Sequence, residues 1–279
     1  MKKLFAIVLS AALLLGTAVA VFAACGNDSS EYLTVATNAY FPPFEYYEGN
    51  AFTGVDIEIA DKMAQNMGKK LYVKDMEFDS IIQSVKSGES DIGMAGITVN
   101  DERKIQVDFT DEYYESAQVI IVKSDDTTFD ACTTADEIET ILKAQDNNYK
   151  IGTQNGTTGY MYSYGDAGFG YDGFTNLTTN GYTTGALAVQ DLANGRINAV
   201  IIDKQPALMI AESISGVKVI EDVELTSEAY AFCVAKGNTE LLEKANAFLK
   251  ELKDNGDLDK IINSFFDGTA DYTYTNPAR

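Results

Sequence analysis

Between residues 33 and 265 the hydrophobic period switches repeatedly between that of a strand and that of a helix, and this alternation limits the fold more than any other feature. Residues 33–37 read as a short strand. Val55, Ile59, Met63 and Met67 then fall on one helical face, with Gly68 as a stop. Residues 71–73 return to a strand. Asp79 stands where it can cap a helix carrying Ile81, Ile82 and Val85, and residues 91–95 are again a strand. Residues 107–109 and 117–122 are further strands. Thr134 and Glu137 form a capping box that opens a helix with Ile138, Ile141 and Leu142. The rhythm continues with a strand at 150–153, a helix at 183–194 stopped by Gly195, and a strand at 199–202. Pro206 suits the first turn of the next helix. Strands at 218–220 and 229–234 precede two helices, one over 239–255 and one carrying Leu258, Ile261, Ile262 and Phe265. Such alternation predicts an α/β fold, with helices on both faces of its sheets. One stretch, 160–175, is rich in Gly and Tyr and reads as a loop or lid.

The first residues bear on location. Lys2 and Lys3 precede an uncharged, mostly apolar run over 4–24, the layout of a secretory signal. The run reaches the lower limit for a spanning helix. It ends, however, in small residues before Cys25 and turns polar at Asn27. The pattern resembles a bacterial lipoprotein signal: residues 1–24 removed, lipid on Cys25, and a short linker over 25–31. That implies an extracytoplasmic protein held at the bacterial cell membrane. Ordinary secretion with cleavage after Ala24 is the alternative.

Lys and Arg number 21 against 42 Asp and Glu, a net charge of −21. Nucleic acid is excluded as a partner, because phosphate contacts need clustered cations. An anionic membrane surface would repel the chain as well, so membrane contact is expected only through lipid. With no histidine and three cysteines, no zinc site is expected. Residues 254–259 carry acids at calcium-loop spacing but lack the required Gly and bidentate Glu. No cofactor or metal is therefore expected. Cys132 and Cys233 read as free thiols, although an oxidising compartment permits a disulfide. The length suits two modest domains.

In α/β sheets, ligands gather beyond the carboxyl ends of the strands. Beyond 33–37 lie Asn38, Phe41, Pro42, Pro43 and Phe44, either an aromatic pocket wall or a buried aromatic loop. Beyond 91–95 lie Gly96, Thr98 and Asn100, which can cap a short helix containing Arg103. That guanidinium can hold a carboxylate bidentately, or pair with Asp101, Glu102 or Asp108. Beyond 150–153 lie Gln154 and a Gly/Thr turn through Thr158, an anion-binding helix start or an ordinary turn. The Gly-Lys-Ser/Thr ending of a phosphate loop is absent. Beyond 199–202 lies Asp203, which can bind an ammonium group or cap the next helix. Taken together, a guanidinium, amides, a carboxylate and aromatic walls match a free α-amino acid.

Longer runs carry a resemblance. The strongest is Ala95-Gly-Ile-Thr-Val-Asn-Asp-Glu-Arg-Lys104, followed by Val107-Asp-Phe-Thr-Asp111, Tyr113 and Tyr114. Ala36-Thr-Asn-Ala-Tyr-Phe-Pro-Pro-Phe-Glu45, Gly54-Val-Asp56, Met76-Glu-Phe78, Asn155-Gly-Thr-Thr158 and Ala199-Val-Ile-Ile-Asp203 add to it. The chain beyond its leader resembles the polar amino-acid substrate-binding proteins of bacterial ABC importers (solute-binding protein family 3), which include glutamine- and lysine/arginine/ornithine-binding proteins. The resemblance implies a two-lobed periplasmic-binding-protein fold of type II. Two sheets flanked by helices are joined by two hinge crossings, near 114–119 and 228–232. Lobe 1 would comprise 32–115 and 230–279, and lobe 2 would comprise 116–229.

By the same resemblance, Arg103 takes the ligand's α-carboxylate, aided by the amides of Thr98 and Thr158. Asp203 takes the α-amino group, aided by the Gly96 carbonyl and the Thr98 hydroxyl. Phe41 and Phe78 flank the ligand side chain, and Asn38 and Gln154 touch its tip or the carboxylate. Members that prefer cationic side chains often have an acid where Asn38 stands. A neutral polar ligand such as glutamine is therefore expected, with a basic amino acid (arginine, lysine or histidine) as the alternative. A monomeric binding protein without catalytic residues is implied, partnered by an ABC permease. Dehydratase-type enzymes and sensory binding proteins of the same fold are the rivals.

Overall fold

The computed structural model describes residues 31–278. The signal at 1–24, the lipid site Cys25 and residues 25–30 of the linker lie outside the described residues.

Two five-stranded sheets form the body. The first runs Lys70–Asp75, Tyr32–Thr37, Ile92–Gly93, Cys233–Ala235, Val107–Phe109. Tyr32–Thr37 is parallel to both its neighbours, and Cys233–Ala235 is antiparallel to both of its own. A strand from late in the chain is thus built into a sheet begun near its start. The second sheet runs Thr178–Tyr182, Lys150–Gln154, Ala199–Asp203, Gln118–Lys123, Val217–Ile220. Between the two, Tyr114–Ser116 pairs antiparallel with Glu228–Tyr230, where the crossings are expected. The chain leaves the first sheet through one of these strands and returns through the other.

Successive strand residues face opposite sides, so an unbroken apolar run requires cover on both faces. Val119, Ile121, Val200 and Ile202 pack with Ala188, Val189 and Leu192 of the Gly185–Ala193 helix. Ile120, Val122, Ala199 and Ile201 pack instead with Phe129, Ile138 and Leu142. The Ala135–Lys143 helix that brings Ile138 and Leu142 has the expected Thr134–Glu137 capping box. In the first half of the molecule, Ile59 and Met63 of the Val55–Asn66 helix share a core with Phe248, Leu249, Ile261 and Phe265. Those four come from the helices Thr239–Asp254 and Asp257–Phe266.

Several local expectations change. Asp79 is not a cap, because it lies inside a 3-10 turn, Phe78–Ser80. Ser80 holds the N-cap position of the Ile81–Lys86 helix without a side-chain bond. The strand at 91–95 contracts to Ile92–Gly93, since the chain must turn at Gly96. The run at 229–234 splits into Glu228–Tyr230 and Cys233–Ala235, one serving a crossing and the other the first sheet. Residues 160–164, expected as loop, belong to a helix, Thr158–Tyr164. Thr157 caps it by accepting from the Tyr160 amide at 3.4 Å. Thr178–Tyr182 and the small sheet of Tyr40–Phe41, Glu45–Glu48 and Ala51–Thr53 carried no periodic signal. The first is a half-buried edge strand, and those of the small sheet are too short to show a period.

Cys132 and Cys233 are free, the first half-buried and the second buried. Burial pushes the Cys233 thiol up to about 12, which makes it a poor nucleophile at neutral pH. Among the described residues, no helix is long and apolar enough to cross a membrane. Among the same residues, no group of His, Cys, Asp or Glu could hold a metal ion.

Candidate functional site

Asn38, Phe41, Phe78, Gly96, Thr98, Arg103, Gln154, Thr158 and Asp203 all line one cavity, together with Ala95 and Thr157. The strand ends account for this convergence. Tyr32–Thr37 and Ile92–Gly93 deliver Asn38 and Gly96 from one sheet. Lys150–Gln154 and Ala199–Asp203 deliver Gln154 and Asp203 from the other. The two sheets touch across the cavity, where Gln154 Nε2 donates to Asn38 Oδ1 at 2.8 Å. Asn38 Nδ2 in turn donates to the Met76 carbonyl at 2.8 Å.

The cationic end is Arg103, only 5% exposed. It sits in the Asp101–Gln106 helix, whose start is fixed by Asn100 accepting from the Arg103 amide at 2.8 Å. Its guanidinium donates to the Thr98 carbonyl at 2.7 Å and the Gly156 carbonyl at 2.9 Å. Asp101 and Asp108 are committed elsewhere, to Lys104 at 3.6 Å and Lys236 at 2.8 Å. Two of five guanidinium N–H donors are thus used, both on neutral carbonyls. Burial holds the Arg103 pKa below its ordinary value, with Glu228 the chief opposing influence. Thr158 adds a buried hydroxyl without a hydrogen-bond partner.

The acidic end is Asp203, 4% exposed. It occupies the N-cap position of the Lys204–Ser213 helix but makes no side-chain cap bond. Its carboxylate instead accepts from the Tyr230 hydroxyl at 2.5 Å and the Ser116 hydroxyl at 3.3 Å. Both donors belong to the crossing strands. Burial, then the charge of Glu228, hold the Asp203 pKa above the ordinary carboxylate range. Glu228 itself accepts from Thr98 Oγ1 and Thr226 Oγ1, each at 2.6 Å. With its proton committed to Glu228, the Thr98 hydroxyl can act toward a third group only as an acceptor.

Gly96 bridges the two ends. Its φ is +52°, and a Cβ there would lie 2.9 Å from the Phe41 ring, so only glycine fits. Its amide donates to Asp56 Oδ2 at 3.0 Å, and Asp56 Oδ1 accepts from Tyr113 at 2.6 Å. Beside Asp56 lies Glu45, fully buried, with neither carboxyl oxygen in hydrogen-bond geometry with a partner. Burial and the neighbouring Asp56 push Glu45 well above the ordinary range, and burial pushes Asp56 up to about 7.

A model of the bacterial extracellular solute-binding proteins, family 3, matches residues 33–268. The chain belongs to this family. The family-3 fold matches solved binding proteins over most of its length. AbpA of Streptococcus pneumoniae, an amino acid ABC transporter substrate-binding protein bound to L-arginine, is 29% identical with a TM-score of 0.74, over 88% of this chain and 98% of its own. An ancestral arginine-binding protein bound to glutamine is 35% identical with a TM-score of 0.72, over 85% and 98%. In sequence, the arginine-binding extracellular protein ArtP of Bacillus subtilis is 31% identical over 92% of this chain and 97% of its own. These family-3 relatives are binding proteins rather than enzymes, as the resemblance implied.

Sequence reasoning missed Glu228, Tyr230 and Ser116, which act on Thr98 and Asp203 from the crossings. It also missed Phe169, whose ring centroid lies 5.5 Å from the Arg103 guanidinium carbon. Glu228 falls within the stretch read as a crossing, and an acid placed there was the available signal.

Proposed function

We propose that this protein captures a free L-amino acid outside the cytoplasm and delivers it to an ABC import permease. The observation that carries this reading is the pairing, in one cavity, of an under-used buried guanidinium with a buried acid. A zwitterion supplies both missing partners: its carboxylate takes the remaining Arg103 N–H donors, and its ammonium meets Asp203, the Gly96 carbonyl and the Thr98 oxygen. Phe41 and Phe78 then flank the side chain. The two lobes, 32–115 with 230–279 and 116–229, close on the ligand about the crossings. Lipid on Cys25 keeps the monomer beside its permease and raises its effective concentration there.

Asn38 and Gln154, neutral donors and acceptors at the far wall, favour a neutral polar side chain such as glutamine. One observation favours a basic side chain instead. Among the relatives, ArtP is arginine-binding by name and AbpA is bound to L-arginine in its solved structure. Thermal unfolding against every common L-amino acid decides between them. A true ligand at a hundredfold excess over its Kd stabilises the protein by about 2.7 kcal/mol. No stabilisation by any amino acid would end this reading.

A substitution at Asn38 tests the far wall separately. In Asn38→Asp, an acceptor replaces the group that donates to Met76, and the added charge seeks a cation. Preference for arginine or lysine over glutamine should rise roughly tenfold, about 1.4 kcal/mol. Calorimetric titration with the three ligands reads the ratio, and an unchanged ranking removes Asn38 from the specificity wall.

A further inference from the structure

The segment from Gly165 to Gly173 forms a small closed hairpin at the end of the Thr158–Tyr164 helix. Asp166 and Tyr171 pair antiparallel through amide bonds of 2.8 and 3.0 Å. At its base, Gly165 and Gly173 have φ of +96° and +68°, and a Cβ on Gly173 would lie 2.3 Å from the Gly165 nitrogen. The Asp166 carboxylate accepts from the Gly168 amide at 2.8 Å and the Phe169 amide at 3.3 Å, which shapes the tip. Aromatic contacts anchor the hairpin to the second sheet. Tyr162 meets Tyr171 and Phe174 edge-on at 5.3 and 5.7 Å, inside the core that holds Ile201.

The tip, however, reaches the other half of the molecule. A Cβ on Gly168 would come within 3.0 Å of Glu102 Oε2, on the helix that carries Arg103. The Arg103 guanidinium carbon lies 5.4 Å from the Phe78 ring centroid and 5.5 Å from that of Phe169. Phe78 belongs to the Arg103 half of the fold, whereas Phe169 is brought by the opposite half. Two grooves border the site, and Phe169 lines both. Arg103 lines the first of them as well, so Phe169 is placed where solvent from that groove would reach the guanidinium.

We propose that the hairpin is a latch, and that Phe169 is a positioning residue that stacks on Arg103 when the two halves come together. This rests on the reading of Arg103 as the carboxylate receptor. Phe169 does not meet the ligand. It orients the fork and excludes water from it, so the latch slows ligand escape without choosing between side chains.

The test is the dissociation rate of radiolabelled L-glutamine or L-arginine, whichever wild type binds, chased with unlabelled ligand. Phe169→Ala and Phe169→Leu should each raise that rate roughly threefold to thirtyfold, the range of a cation–π contact between exposed and desolvated settings. The association rate should stay within about twofold, since changes within one interface act mostly on escape. Phe169→Tyr should restore the slow rate, because it keeps the aromatic face. An unchanged rate in Phe169→Ala, or a slow rate in Phe169→Leu, overturns the latch while leaving Arg103 as receptor. If wild type binds no amino acid at all, the functional reading fails, and the latch with it.

Discussion

In an Arg103→Ala variant, every free amino acid loses its binding, whatever its side chain. Arg103 is the only residue of the cavity lining that carries a positive charge. Its two existing hydrogen bonds go to carbonyls, so it is held in place without being neutralised by contact. Truncating one member of a buried, hydrogen-bonded charge pair costs about 2–5 kcal/mol, or roughly thirtyfold to several thousandfold in affinity. The loss should be uniform across ligands, because all share the carboxylate. Arg103→Lys should recover only part, since an ammonium cannot fork onto a carboxylate while holding two carbonyls. Calorimetric titration of glutamine, arginine and histidine reads both variants. Wild-type affinity for any one of them in Arg103→Ala would remove Arg103 from the role.

Of the nine predicted cavity residues, Phe78 came only from the resemblance, and the other eight were legible in the sequence for a specific reason. Each stands just beyond a strand end or on the short helix that follows one, and parallel sheets bring such positions to one edge. The centre of the second sheet was legible too, because residues 119–122 and 199–202 are unbroken apolar runs. What stayed hidden depends on contacts distant in sequence. Tyr230 donates to Asp203 across 27 positions and Thr98 to Glu228 across 130, and nothing local in either segment announces a partner. Asp79 was misread because a capping residue and a residue of a 3-10 turn share the same chemistry. Phe169 was missed because glycines and tyrosines around it mark a loop without saying where its tip lands.

Replacing Glu45 by glutamine should make the protein more stable than wild type at pH 8, and the advantage should shrink as the pH falls. Glu45 is fully buried beside Asp56, and two carboxylates so placed cannot both ionise without strong repulsion. A proton on Glu45 turns the contact into a donor facing an acceptor, which resolves the missing partners of its oxygens. The folded pKa is raised, so the folded chain keeps a proton that the unfolded chain releases above about 4.3. Stability from this group is complete below that pH and declines as pH rises toward the folded value. The slope is about 1.4 kcal/mol per pH unit for each proton so held. Asp56, pushed up to about 7, adds a decline over roughly 4 to 7. Glutamine donates to Asp56 without releasing a proton, so the difference between variant and wild type isolates Glu45 from the many surface carboxylates. Urea unfolding of both proteins at half-unit steps from pH 5 to 8 measures it. A difference that stays flat with pH would mean that Glu45 is ionised in the folded protein. Because Asp56 also accepts the Gly96 amide, a proton shared behind the pocket holds the loop whose carbonyl is proposed to meet the ligand's ammonium.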